Sequence, residues 1–156
     1  VDRVYGDMAR RQSEALRSIL GAYRTTEDTL RPENVRKALE RTLSVVLEEP
    51  RFAELFLRYL TDPTLLDGAA KAFADRARDE AIEDVWQLSR RMGARPEDYA
   101  RVAIYTEQML ALYYNAAIQV LEQRYSRAMV LEATTEALVG IGQALVDSLN
   151  RAASQA

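Results

Sequence analysis

The stretch YTEQMLALYYNAAIQVLEQRY, residues 105–125, has the length and composition of a helix, and its reading decides the fold. Stepping about 100° per residue puts Leu112, Tyr105, Ala116, Met109, Val120, Tyr113, Ala117, Leu110, Leu121, Tyr114, Ile118 and Ala111 on one continuous apolar arc. Only Gln108, Asn115, Gln119 and Glu122 share a polar strip, and Glu107 is stranded inside the arc. A helix packed on a single core needs an apolar face a little over about 100° wide. This one has more, so it must touch two things.

The chain around it has 156 residues, enough for one domain with a real core, and is 48% hydrophobic. Four prolines and six glycines are few, Ala, Leu, Arg and Glu dominate, and β-branched residues are scattered rather than alternating. That composition predicts an all-helical fold. A net charge of -3, with acids and bases interleaved, gives no general pull toward nucleic acid. Without cysteine there is no disulfide framework, thiol nucleophile or thiolate metal site. No uninterrupted apolar run approaches the roughly 20 residues that span a bilayer, and the opening VDRVYGDMARR lacks the apolar core of a signal peptide. The expectation is a soluble protein with no membrane partner, the cytoplasm being the default compartment. Val1 falls in mid-pattern, with no initiator methionine and no helix cap before it, which predicts a piece of something longer.

Punctuation divides the chain into six predicted helices. The first runs from about Val1 to Tyr23, with Val1, Val4, Tyr5, Met8, Ala15, Ile19 and Leu20 on one side. After the loop RTTEDTLRP, Pro32 suits the first turn of the second, whose face is Val35, Leu39, Leu43, Val46 and Leu47. Pro50 opens a short third helix dense in Phe52, Leu55, Phe56, Tyr59 and Leu60. Thr61 or Asp62 can cap the fourth, with Pro63 at its first position and Gly93 as a left-handed stop. Pro96 opens the fifth, which contains the stretch quoted above. A break near Tyr125 and Ser126 leads to the sixth, with Leu131, Leu138, Leu145 and Leu149 as its core line.

The absence of histidine removes the Ser-His-Asp triad, the histidine general base and histidine ligands for zinc or haem. A globin-like sensor is disfavoured for the same reason. The densest acidic group, DRARDEAIED over residues 75–84, has arginines between its carboxylates and reads as a solvated face with i, i+4 ion pairs. Dispersed glycines form no phosphate loop, and the doublet Arg10–Arg11 reads as solvated. No enzyme activity, metal or cofactor is expected. Aromatic residues remain. They either fill a core or line a cavity, because tyrosine hydroxyls and a tryptophan N–H need partners that a close-packed apolar core rarely supplies.

Laid out in this way, the chain resembles the regulatory domain of TetR-family transcriptional repressors over essentially its whole length. VDRVYGDMARRQSEALRSIL is similar to the helix that leaves the family's DNA-binding head, and VRKALERTLSVVLEEPRFAELFLRYLTDP to the next two helices. The long fourth helix closes at RMG. ARPEDYARVAIYTEQMLALYYNAAIQVLEQ and VLEATTEALVGIGQALVDSL occupy the places of the dimerisation pair. The family's helix-turn-helix head is expected upstream of Val1 and has no counterpart in residues 1–156. The resemblance implies a single regulatory domain of six helices, the last two forming a four-helix bundle with a second copy. DNA would be a partner only through that head. It also implies an answer for residues 105–125: one side on the ligand interior, the other on the two-fold interface.

Two sites follow as expectations. A mainly apolar pocket among the third, fourth and fifth helices, lined by some of Phe56, Tyr59, Trp86, Met109 and Tyr113, would bind a small hydrophobic or aromatic effector without turnover. A homodimer seam would use Leu138, Gly140, Ile141, Ala144 and Leu145, where small residues one turn apart permit close approach. The competing reading is a helical dimerisation or adaptor module whose aromatics only fill the core. Arginine in excess of lysine and abundant alanine point weakly to a GC-rich bacterial genome.

Overall fold

The computed structural model describes residues 2–23 and 25–155, without the side chains of Asp2, Val4, Tyr5, Leu16, Ile19 and Leu20. The predicted inner line of the first helix is therefore described only at Met8 and Ala15. Among the described residues the fold is all-helical. The α-helices are α1 (Asp2–Ala22), α2 (Thr26–Thr29), α3 (Pro32–Val46), α4 (Pro50–Thr61), α5 (Gly68–Arg91), α6 (Tyr99–Leu121) and α7 (Arg127–Ser154). Short 3-10 turns at Pro63–Leu65 and Pro96–Asp98 precede α5 and α6.

The ends have local causes. Pro32 and Pro50 stand in the first turns of α3 and α4, where a missing N–H costs nothing. Ser126 caps α7 by accepting from the Met129 N–H at 3.2 Å. Gly93, with φ +97°, supplies the left-handed residue that stops α5.

Two sequence expectations need correction. The predicted loop after α1 contains the one-turn helix α2, because Thr25 accepts from the Asp28 N–H at 3.1 Å and holds the turn closed. The predicted start of the fourth helix at Pro63 is only a 3-10 turn capped by Asp62. Leu66 is extended, and α5 begins at Gly68, where Asp67 accepts from the Ala70 N–H at 2.8 Å. Two aspartates five residues apart each offer a cap, and the second opens the long helix.

The surplus apolar arc of α6 is covered largely within the chain. The helix packs against α7, α4, α5 and α3, burying Val102, Thr106, Tyr113, Tyr114, Ala116, Ala117 and Ile118. Gln108, Asn115 and Glu122 of the predicted polar strip are exposed, and Gln119 is half-buried. Glu107, stranded in the arc, is exposed and lies 3.9 Å from Arg78 on α5.

The main core joins α1, α3, α4 and α6 through Met8, Leu39, Leu43, Val46, Phe52, Phe56 and Tyr114. Its densest part is aromatic. Phe56 stacks on Tyr114 with centroids 4.8 Å apart, and Phe52 and Phe73 meet the same group edge-on or tilted at 5.0–6.4 Å. A smaller cluster of Val102, Leu145 and Leu149, with Val85, Trp86, Ala94 and Tyr105 against it, closes the other end between α5, α6 and α7.

Candidate functional site

Between these two clusters lies a cavity of about 270 Å³. Its wall takes Ala9, Gln12 and Ser13 from α1, Thr26, Thr29 and Leu30 from α2 and its C-cap, and the inner face of α3 from Asn34 to Thr42. α5 adds Ala77, Ala81, Val85 and Leu88; α6 adds Thr106, Met109, Leu110, Tyr113 and Tyr114; α7 adds Leu138, Gly142, Leu145 and Val146. Small residues on inward faces make the room. Ala9, Ala38, Ala77 and Ala81 stand where larger side chains would meet across the space. At Gly142 the missing side chain admits a neighbour: a Cβ there would lie 2.6 Å from Leu30 Cδ2.

Most polar groups in the wall are already engaged. The Thr42 hydroxyl donates to the Ala38 carbonyl at 2.8 Å, Thr106 to Val102 at 2.8 Å and Thr29 to Thr25 at 2.8 Å. The Tyr114 hydroxyl donates to Gln12 Oε1 at 3.2 Å. Tyr113 differs. Only 8% of it is exposed, and its hydroxyl is buried with no hydrogen bond of good geometry, although Thr42 and Gln12 are close enough to act on it. Burial pushes the ionisation of both Tyr113 and Tyr114 far up, so both stay protonated donors. Ser89 is the other wall residue with a buried hydroxyl lacking a partner.

The charged residues of the wall are two carboxylates, Glu80 and Asp84. Asp84 accepts from Arg17 Nε at 2.9 Å and from Ser13 Oγ at 3.2 Å, and Glu80 is exposed. No lysine or arginine lines the cavity among the described residues.

Of the predicted pocket residues, the structure brings Phe56, Met109 and Tyr113 together in this wall. Tyr59 and Trp86 lie elsewhere. Tyr59 is buried on the far side of Phe56, where its hydroxyl donates to Asp75 Oδ1 at 2.5 Å. Burial and that bond push Tyr59 up to about 12, and the same bond, with Lys71, holds Asp75 below the usual carboxylate range. Trp86 meets Tyr99 edge-on at 5.3 Å in the smaller cluster. The cavity is also displaced from the place expected for it. Phe56 is the only residue of α4 in the wall, because Phe52 packs with Phe73 and Tyr114 and fills that side. Gln12, Leu30 and Thr42 belong to the site and were not anticipated. The inward alanines were the available signal.

The predicted seam residues also separate. Leu145 is buried, Leu138 packs on the main core, and both line the cavity, as the core line of α7 requires. A leucine facing inward is not offered to a second copy. Gly140, exposed, and Ile141 and Ala144, half-buried, stand to one flank of that leucine line on α7.

The charged stretches behave as solvated faces. Asp75 and Asp79 pair with Lys71 and Arg78 at 3.0 Å, and Arg11 grips Glu48 through two bonds of 2.7 and 2.9 Å. No group of three or more carboxylates is placed to hold a metal ion among the described residues. No protein-family model matches this chain, and neither a curated protein nor a solved structure is significantly similar to it.

Proposed function

We propose that this chain is the ligand-sensing and homodimerising regulatory domain of a transcriptional repressor of TetR type, and that a small hydrophobic or aromatic effector occupies the cavity. The observation that carries the reading is the cavity itself. It is walled mainly by apolar side chains and has a few buried hydroxyls, and the carboxylate that the Ser13 hydroxyl meets at 3.2 Å, Asp84, is already held by Arg17. Binding without turnover is the function such a wall serves.

α1 would supply the link to the DNA-binding head that this reading requires. α1 gives Ala9, Gln12 and Ser13 to the wall, so a guest touches the helix that would lead into the head. Beside its buried Met8, α1 meets the turn after α3 through Arg11–Glu48 and α5 through Arg17–Asp84, whose arginines are 40% and 61% exposed. Exposed pairs of this kind contribute little to stability and re-form easily. A guest that favours one seating of α1 would shift the spacing of two heads, and DNA binding with it.

The partner surface proposed is the flank of α7 that carries Gly140, Ile141 and Ala144. This helix is long and apolar enough to cross a membrane by length and composition, yet only 33% of its most apolar stretch is buried. Gly140, Ile141 and Ala144 lie there, with exposed Ile104 on α6 adding apolar area. A second copy would cover both helices, burying on the order of 2,000 Å².

The test is a panel of uncharged aromatic compounds read by thermal unfolding. A binder present at a hundredfold excess over Kd adds about 2.7 kcal/mol. Stabilisation by none of them would favour the adaptor reading. Sedimentation of the wild-type chain should show a dimer at micromolar concentration and Ala144→Arg a monomer; a monomeric wild type would remove the seam.

A further inference from the structure

Resting on the cavity reading above, the chemistry of the guest can be narrowed. Tyr113 and Tyr114 are neighbours in sequence with opposite situations. Tyr114 donates to Gln12 Oε1, and the same amide lies close to the Tyr113 hydroxyl. Tyr113, also a donor, is buried in the wall with no hydrogen bond of good geometry. Thr42 beside it spends its own proton on Ala38 and Leu39 and is not placed to accept well from Tyr113. Two donors therefore converge on one part of the wall, and an unpaired buried hydroxyl is costly enough that it asks for a partner.

The charges exclude other guests. An anion would find carboxylates at Glu80 and Asp84 and no cation in the wall. A lipophilic cation would find Asp84 already bonded to Arg17 and Ser13, and Glu80 exposed to water, where its attraction is weak. A neutral oxygen with two lone pairs fits.

We infer that the cavity selects a neutral apolar molecule bearing a carbonyl-type acceptor, whose oxygen is held by the Tyr113 hydroxyl and the Gln12 amide. Ketones, quinones, esters and lactones on a ring or chain of modest size belong to this class; carboxylates and quaternary ammonium compounds do not.

The experiment compares four probes on one skeleton by titration calorimetry with the whole chain: acetylnaphthalene, ethylnaphthalene, naphthoate and naphthyltrimethylammonium. The ketone should bind on the order of tenfold more tightly than the ethyl compound, the ratio expected of one or two well-made hydrogen bonds. Naphthoate and the ammonium compound should bind more weakly than either. In Tyr113→Phe the preference for the ketone should disappear or reverse, while ethylnaphthalene binds as before. Melting of the guest-free variant should be unchanged or slightly raised, because only an unpaired hydroxyl is lost. Tyr59→Phe, whose hydroxyl lies outside the wall, should keep the preference. An ethyl compound that binds wild type as well as the ketone does, a preference lost in Tyr59→Phe and kept in Tyr113→Phe, or tightest binding of the ammonium compound would each overturn the inference while leaving the cavity reading standing. If none of the four binds, both fail together.

Discussion

The block between α4 and α6 and the cavity between α1, α3 and α5 are built from similar residues and end in opposite states. In the block, Phe52, Phe56, Phe73 and Tyr114 meet at centroid distances of 4.8–6.4 Å. Across Phe56 and Tyr114, which belong to both regions, the facing wall includes Ala38, Ala77 and Ala81, and the space stays open. Whether a helix face is filled or hollow is thus set by what stands opposite it. The stability of the domain should reside in the first region and its selectivity in the second.

The largest effect that would test this division is Phe52→Ala. Phe52 is fully buried in the block, so the change should cost about 3–5 kcal/mol and lower Tm by roughly 10 °C or more. A loss under about 1 kcal/mol in denaturant titration would mean the block is not the structural centre.

Next in size is the alkaline limb of stability. Tyr59, at the edge of the block, ionises near 10 when unfolded and about 12 when folded. A folded value above the unfolded one means its contribution is complete below about pH 10 and lost as pH rises toward 12. The loss is on the order of 2–3 kcal/mol. Tyr59→Phe should flatten the fall of stability over that window; Tyr113 and Tyr114, also raised, should keep part of it. An unaltered slope would place the alkaline sensitivity in the cavity tyrosines alone.

A smaller effect is expected at Met109, which is half-buried in the cavity wall. Met109→Ala removes a side chain that faces open space, so thermal unfolding should register about 1 kcal/mol or less. Binding of an aromatic probe should change more than that. The reverse ranking would dissolve the distinction between the two regions.

Gly142→Ala should be the least costly. The added Cβ would press on Leu30 Cδ2, the far end of a flexible side chain, and alanine is the better helix former. Stability should stay within about 1 kcal/mol of wild type. Leu30, displaced, should narrow the cavity and weaken binding of the larger probes first.

Much of this organisation could be read in advance. Pro32, Pro50, Gly93 and Ser126 marked helix ends because their chemistry acts within a turn or two of the backbone. α2 escaped because RTTEDTLRP is a run of turn-forming residues whose closure depends on one threonine side chain. The apolar arc of α6 demanded two contacts, but periodicity measures how much of a helix is apolar and not whose side chains cover it; α3, α4, α5 and α7 of the same chain cover much of it. Phe56, Met109 and Tyr113 were legible as wall residues because they point inward on their helices. Gln12, Leu30 and Thr42 were not, since polar or loop-edge residues come to a cavity only through the crossing of helices remote in sequence. Leu138 and Leu145 satisfied the description of a core line and of a seam equally well, and packing decided for the core line.

Gly142 has a consequence for how this domain could change over time. Glycine and alanine codons differ at their second base alone, so a single nucleotide substitution reaches a side chain that pushes Leu30 into the wall. Such a change is nearly silent for folding and direct for guest size. Under the proposed function, the size of guest the cavity admits could therefore change with little change in stability, and position 142 is where such variation should first be examined.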